Sequence, residues 1–199
     1  MQVTKDYIRQ NIQEAARELF LERGYPDVSM REIANRAQVG LSNIYNYFKS
    51  KDELFVGVMQ PVIKAFNYIL EAQPLDRVPE AKTISGFRNT TVNVYINLIK
   101  NYQQEINVLL FQARGSSLQN FKEVFTKKST EKIREILNER KENGEMDSIE
   151  VSDFTLHLHA VWLFTIFEEF VKSDVSYEEL EEKIDEYVKY ELTSWGEPL

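Results

Sequence analysis

The chain has 199 residues, no cysteine and a formal net charge of −8 at pH 7. The absence of cysteine excludes disulfide bonds, thiolate metal sites and cysteine nucleophiles. The hydrophobic fraction of 43% is enough to bury a sizeable core, whereas the acidic balance at first sight argues against nucleic acid as a partner.

The distribution of charge along the chain qualifies that exclusion. Residues 1–60 carry eight basic and eight acidic side chains, so the remaining 139 residues hold the whole of the −8. Between Ala34 and Lys51 there are three basic residues and no acidic one. A locally positive N-terminal surface on an acidic body is a weak electrostatic indication of DNA binding.

The first residues, MQVTKDYIRQNIQEAA, are polar and predict no signal peptide. The longest nearly uncharged apolar run, Phe154–Phe167, has 14 residues, whereas a membrane-spanning helix needs about 20. We therefore expect a buried helix there, no membrane partner and a cytoplasmic protein.

Apolar residues recur at helical spacing throughout, which predicts an all-α fold. The first predicted helix covers 4–23 and stops at Gly24. The second begins at Ser29, whose spacing to Glu32 is that of a capping box. The remaining predicted helices cover about 41–48, 52–72, 80–102, 104–114, 117–142, 151–172 and 177–194.

The segment from Ser29 to Lys51 has the pattern of a helix-turn-helix, in which one short helix braces a second that lies in the major groove of DNA. Small residues permit close approach, hydroxyls and amides can meet base edges, and tyrosines and lysines can hold phosphates. The alternative is a pair of packing helices in an ordinary bundle, but such helices would carry ordinary charged residues on this face. The candidate DNA-contacting residues are Ser29, Met30, Arg31, Gly40, Leu41, Ser42, Asn43, Tyr45, Asn46, Tyr47, Lys49 and Lys51.

About 45 residues share a spaced set of glycine, small, apolar, aromatic and basic positions with one known family. The shared residues are Gly24, Tyr25, Ser29, Arg31, Ile33, Ala34, Ala37, Val39, Ile44, Tyr45, Tyr47, Phe48, Lys49, Lys51 and Leu54. In these positions the chain resembles the tetracycline-repressor (TetR/AcrR-type) family of transcriptional regulators.

The departures from the family pattern lie at the turn and in the second helix. Gln38 stands where the family usually has glycine, which costs about 1 kcal/mol if the residue is left-handed. Gly40 replaces a capping serine but is an acceptable N-cap. Ser42 and Asn43 replace glycine and threonine, so the operator sequence does not carry over from relatives.

The resemblance implies an N-terminal three-helix DNA-binding domain over 1–50 and a larger helical domain over 51–199 that binds an effector and dimerises. It implies a dimer on a palindromic operator in double-stranded DNA, with repression released by the effector. The two rivals are a helical enzyme with a vestigial N-terminal module and a regulator that binds DNA constitutively. We expect no enzyme activity, cofactor or metal, since His157 and His159 lie about 200° apart on a helix and no convergent catalytic set is evident.

Aromatic and polar residues in the C-terminal helices suggest a cavity for a small apolar or amphipathic organic effector. The candidate pocket residues are Phe66, Tyr95, Asn97, Phe111, Gln112, Phe125 and Trp162. For the aromatic residues the alternative is ordinary core. The stripe Asn89, Asn93, Asn97, Asn101 is either a solvated face or a polar cavity wall.

The predicted helix over 151–172 is apolar on nearly every side, and one chain of this size cannot easily cover it. We therefore expect it to meet its mate about a two-fold axis, together with the 177–194 helix, in a four-helix arrangement. The candidate interface residues are Phe154, Leu158, Val161, Thr165, Ile184, Val188 and Leu192.

Overall fold

The computed structural model describes residues 2–71, 84–144, 151–173 and 176–194, and within these ranges it contains helices and turns but no strand. The predicted all-α fold is confirmed. In chain order the helices are α1 (Gln2–Arg23), α2 (Met30–Arg36), α3 (Leu41–Ile44), α4 (Lys51–Glu71), α5 (Ile84–Phe111), α6 (Phe121–Glu142), α7 (Asp153–Lys172) and α8 (Tyr177–Ser194).

The chain forms two compact units. The first unit comprises residues 1–64 and 104–121, and the second comprises residues 65–103 and 122–199. The predicted division after residue 50 concerns where DNA binding resides and stays a prediction. The compact unit around the helix-turn-helix is larger than that segment, because it also includes the start of α4 and a segment more than 50 residues further along the chain.

The core of the first unit is built from the apolar faces of α1, α2, α3 and α4. Ile12, Phe20 and Phe55 have no exposed surface. The rings of Phe20 and Phe55 meet edge to face, with centroids 5.0 Å apart, and Tyr25 lies 4.9 Å from Phe55. This cluster fixes α1, the loop after it and α4 to one another, and so it supports the short helices α2 and α3.

The predicted break between helices over 80–102 and 104–114 is confirmed. Within α5 two helical segments meet at a kink at Tyr102, where φ is −137° and ψ is 20°. No proline or glycine follows the kink, so the chain resumes a helix beyond it. The predicted breaks at Gly115–Ser117 and Asn143–Gly144 lie in turns, whereas the one at Pro74–Pro79 falls outside the described residues.

An aromatic cluster forms the core of the second unit. The ring of Phe66 lies 5.3 Å from Phe125, 5.5 Å from Phe164 and 5.5 Å from Phe167, and Tyr95 lies 5.2 Å from Phe167. These distances are typical of offset and edge-to-face packing between aromatic rings. The cluster joins α4, α5, α6 and α7.

Helix α7 has two different apolar faces. Leu156, Ala160 and Phe164 are buried, whereas Leu158 is 50% exposed and Trp162 is 45% exposed. By length and composition alone α7 qualifies as a membrane-crossing helix, and 25% of its apolar window is buried. Core helices of soluble proteins meet the same criterion. The predicted buried helix is therefore buried along one face and uncovered along the other.

Candidate functional site

A reciprocal pair of hydrogen bonds fixes the start of α2. The Ser29 backbone N–H donates to Glu32 Oε2 at 2.8 Å, and the Glu32 N–H donates to Ser29 Oγ at 3.3 Å, which confirms the predicted capping box. Arg23 Nη1 donates to Glu32 Oε1 at 2.8 Å. The hydrogen bonds from Ser29 and then Arg23 lower the pKa of Glu32 to about 2. Glu32 is therefore charged at neutral pH and joins the end of α1 to α2.

The turn between α2 and α3 contains a left-handed residue that is not glycine. Gln38 has a φ of 55°, so the condition for a backbone cost of about 1 kcal/mol is met. The Val39 N–H donates to the Ala34 carbonyl at 3.0 Å and closes the turn. Gly40 then opens α3 without a side-chain cap.

The predicted third helix over 41–48 is too long, because α3 ends at Ile44. Beyond it the chain continues in tighter turns, in which the Tyr47 N–H donates to the Ile44 carbonyl at 2.9 Å. Two tyrosines and an asparagine, which are mediocre helix formers, occupy positions 45–47, and short three-residue turns are common at helix ends. We call residues 41–47 the recognition segment.

Buried and exposed residues alternate along the recognition segment in the way that a groove-binding element requires. Ile44 and, just after the segment, Phe48 are buried at 0% and 1% exposure, so they attach it to the core. Ser42, Tyr45 and Asn46 are exposed. The half-buried members of the predicted contact set are Met30, Leu41, Asn43, Tyr47 and Lys51, and the remaining exposed members are Ser29, Arg31, Gly40 and Lys49.

Two basic residues beside the recognition segment were missed by sequence reasoning. Lys5 and Arg9 of α1 line an open groove together with Asp6, Asn43, Asn46 and Tyr47. The Arg9 guanidinium lies 4.8 Å from the centroid of the Phe48 ring, which orients it. Their spacing of four residues puts both cations on one face of α1, and that spacing was the available signal.

Lys51 makes contacts within the protein that the sequence did not predict. Its Nζ donates to the carbonyl oxygens of Tyr25 and Val28, each at 2.9 Å, and lies 4.0 Å from the centroid of the Tyr25 ring. Burial lowers the pKa of Lys51, while Asp27 and Glu32 act in the opposite direction. Two of its three N–H donors therefore hold the loop between α1 and α2 against α4.

The segment 104–121 belongs to the first unit and is hydrogen-bonded to the elements on either side of the helix-turn-helix at three places. The contacts are to α1, to the loop between α1 and α2, and to α4. They join Arg17 Nη2 to Glu105 Oε1 at 2.6 Å, the Tyr25 N–H to the Gln112 carbonyl at 2.9 Å, and the Ser117 N–H to Asp52 Oδ1 at 2.7 Å.

The second unit contains a cavity of about 140 Å³. Three of the predicted pocket residues, Phe66, Tyr95 and Phe125, line it, and the other four do not. Asn97 and Trp162 are exposed on their helices, and Phe111 and Gln112 belong to the first unit. In the asparagine stripe Asn93, Asn97 and Asn101 are exposed. This exposure favours the alternative of a solvated face over that of a polar cavity wall.

The predicted interface residues fall into three groups. Phe154 and Leu158 are 69% and 50% exposed, and Val161 and Thr165 are half-buried. Ile184 is fully buried in its own chain, so its assignment to the interface is corrected: it has no surface left for a partner. The side chains of Val188 and Leu192 lie outside the described residues.

Comparison with known proteins places the site in a family. Residues 12–58 match the model of the bacterial regulatory proteins of the tetR family. An HTH-type transcriptional regulator of Staphylococcus aureus (strain MRSA252) is 26% identical over 145 residues, which cover 66% of this chain and 78% of the relative.

Solved structures share the fold over nearly the whole chain. NalD, the secondary repressor of the MexAB-OprM multidrug efflux pump in Pseudomonas aeruginosa, is similar with a TM-score of 0.67 at 16% identity, over 94% of this chain and 96% of its own. A TetR-like transcriptional regulator from Rhodococcus sp. RHA1 is similar with a TM-score of 0.63 at 18% identity, over 96% and 97% of the two chains. Because the motif residues, the matched segment and the fold agree, residues 12–58 are a helix-turn-helix domain of the tetR family of bacterial regulatory proteins, and the whole chain resembles transcriptional regulators rather than enzymes in sequence and fold.

Proposed function

We propose that this regulator is a cytoplasmic repressor that binds a near-palindromic operator as a homodimer and leaves it when a small organic effector occupies the second unit. The observation that carries the DNA-binding part is the exposed recognition segment, which offers hydroxyls and amides with no acidic residue between Ala34 and Lys51. Lys5 and Arg9 add two cations beside it, and Asp6 of the same groove offsets one of them. The recognition segment would read base edges while these cations and the tyrosines hold phosphates.

Asn43→Ala is expected to change sequence preference at one position of each half-site and to cost about 1–3 kcal/mol of binding free energy there. The matched control is Asn101→Ala, which removes an exposed asparagine from the second unit and should leave binding unchanged. Selection of operator sequences from a random duplex library, followed by titration of the winning duplex, measures both effects. Binding that never becomes sequence-specific at physiological salt contradicts the proposal.

Lys51→Met is expected to weaken operator binding without changing its salt dependence, because Lys51 positions the loop between α1 and α2. It should also lower the free energy of unfolding by about 1–2 kcal/mol, since two charged hydrogen bonds are lost. Arg9→Gln is the comparison: removal of a phosphate contact reduces the slope of log K against log salt by about 1. Should Lys51→Met reduce the slope as Arg9→Gln does, Lys51 is a phosphate contact.

The uncovered face of α7 supports the dimer. Phe154, Leu158 and Trp162 are large apolar side chains on one side of the helix, each at least 45% exposed. Trp162 also contacts Tyr187 and Tyr190 of α8, with ring centroids 5.9 and 6.4 Å apart. A second copy of this face, related by a two-fold axis, would cover it. A dimer on a palindromic operator needs its two recognition segments about 34 Å apart, one helical turn of DNA.

The cavity in the second unit supports the effector part. Its walls come from helices α4, α5, α6 and α7, and small-molecule sites typically have such apolar walls with few polar groups. An effector that favours a dimer geometry unable to span successive major grooves would release the operator. The constitutive alternative predicts that no ligand of this cavity changes operator affinity.

A further inference from the structure

The cavity of the second unit is apolar except for a few polar groups in its lining. The described residues that line it include one cation, Lys132, and no carboxylate. The other polar groups in that lining are the hydroxyls of Ser129 and Tyr95. The apolar walls are made by Phe66, Ile69, Leu70, Phe125, Ile133, Ala160, Phe164 and Phe167.

The size of the cavity limits the ligand. Its volume of about 140 Å³ is below the range of about 300–1,000 Å³ that is usual for drug-sized ligands. An apolar cavity of about 150 Å³ in another protein stays dry and accepts benzene. As it stands, the cavity therefore takes one six-membered ring or a saturated chain of similar volume, and a larger ligand would have to displace aromatic side chains.

Among the polar groups that line the cavity, Lys132 favours an anion. Ser129 Oγ donates its hydrogen to the Phe125 carbonyl at 3.0 Å, so in this arrangement it offers a carboxylate no donor and does not contribute to that preference. Lys132 Nζ lies 3.2 Å from Glu135 Oε2, and the two side chains are 40% and 62% exposed. Exposed pairs of this kind contribute little, so a ligand carboxylate that is partly shielded from water can replace Glu135 at low cost. A cationic ligand would be repelled by Lys132.

We infer that the cavity binds a small apolar carboxylic acid, with its ring or chain among the aromatic side chains and its carboxylate on Lys132 Nζ. The inference rests on the proposed effector function and adds the chemical class of the ligand. It also assigns Lys132 as the residue that selects acids over neutral compounds of the same shape.

The test uses the full-length protein and two pairs of probes: benzoate against benzyl alcohol, and hexanoate against hexan-1-ol. Calorimetric titration should show each acid binding roughly tenfold more tightly than its alcohol, the ratio expected for one charge-assisted hydrogen bond. Lys132→Met should abolish that ratio, and Lys132→Arg should retain it. Lys128→Met, an exposed lysine of α6 outside the cavity lining, should behave as the wild type does.

The outcomes separate the ligand class from the switch. Equal affinities for acid and alcohol in the wild type, or a preference that survives in Lys132→Met, overturn the inference. Each probe is then titrated against operator-bound protein. If an alcohol binds as tightly as its acid and releases the operator, the proposed effector function is supported, but the inference that the ligand is a carboxylic acid is overturned. An acid that binds on Lys132 but leaves operator affinity unchanged supports the ligand class and overturns the proposed effector function.

Discussion

Gly24→Ala should lower the free energy of unfolding by about 2–4 kcal/mol, through a backbone term and a packing term. Gly24 has a φ of +76°, a conformation that L side chains rarely adopt. A Cβ at this position would lie 2.7 Å from Gln112 Cβ and 3.2 Å from the Gln112 carbonyl oxygen. Both obstacles are close to the backbone, so neither can move away as the end of a flexible side chain could.

Gly115→Ala is the matched control for this substitution. Gly115 has a φ of +83°, but a Cβ there would meet nothing within 4 Å, so only the backbone cost of about 1 kcal/mol applies. Urea denaturation followed by circular dichroism measures both losses. Adding Gln112→Gly to Gly24→Ala should recover part of the loss, because one of the two obstructing groups is then absent. Equal losses for the two alanine variants would show that the loop relaxes away from Gln112.

Leu158→Glu should convert the proposed dimer to monomer and weaken operator binding by roughly 100-fold or more, because a monomer loses the second half-site and the effective concentration that linkage provides. Leu158 is 50% exposed in the single chain, so the charge is tolerated in a monomer but would be buried in the proposed interface. Sedimentation at low micromolar protein measures the mass, and titration of the operator measures the affinity.

The control for Leu158→Glu is Lys127→Gln, which changes the net charge by the same one unit at an exposed position of α6. It should leave mass and operator affinity unchanged. Thermal unfolding of Leu158→Glu should show a folded second unit, which excludes misfolding as the cause. A wild-type protein that sediments as a monomer, or a Leu158→Glu protein that stays dimeric, places the interface elsewhere.

The features that the sequence predicted well depend on local chemistry. The Ser29 capping box and the Gly24 stop follow from hydrogen bonding and dihedral freedom within a few residues, and the helix over 177–194 has the bounds that were predicted. Comparison with the family pattern singled out Gln38 as a position where a left-handed conformation would cost about 1 kcal/mol, and its φ of 55° meets that condition.

The features that were missed depend on contacts between residues far apart in the chain. The sequence predicts Lys51 as a phosphate ligand, because its hydrogen bonds to the Tyr25 and Val28 carbonyls become visible only in the folded structure. Trp162 is an aromatic residue of the kind that lines ligand pockets, but it is 45% exposed and lies on the uncovered face of α7.

The compact unit that contains the helix-turn-helix is not one continuous segment of the sequence. Residues 104–121 complete the first unit, and they supply Glu105, which is 7% exposed and paired with Arg17. A chimera that joins residues 1–64 to another regulator therefore lacks part of the first unit, including the hydrogen bonds to the loop between α1 and α2 and to α4. A chimera between relatives should fold and bind DNA only when the 104–121 segment is transferred together with the N-terminal helices.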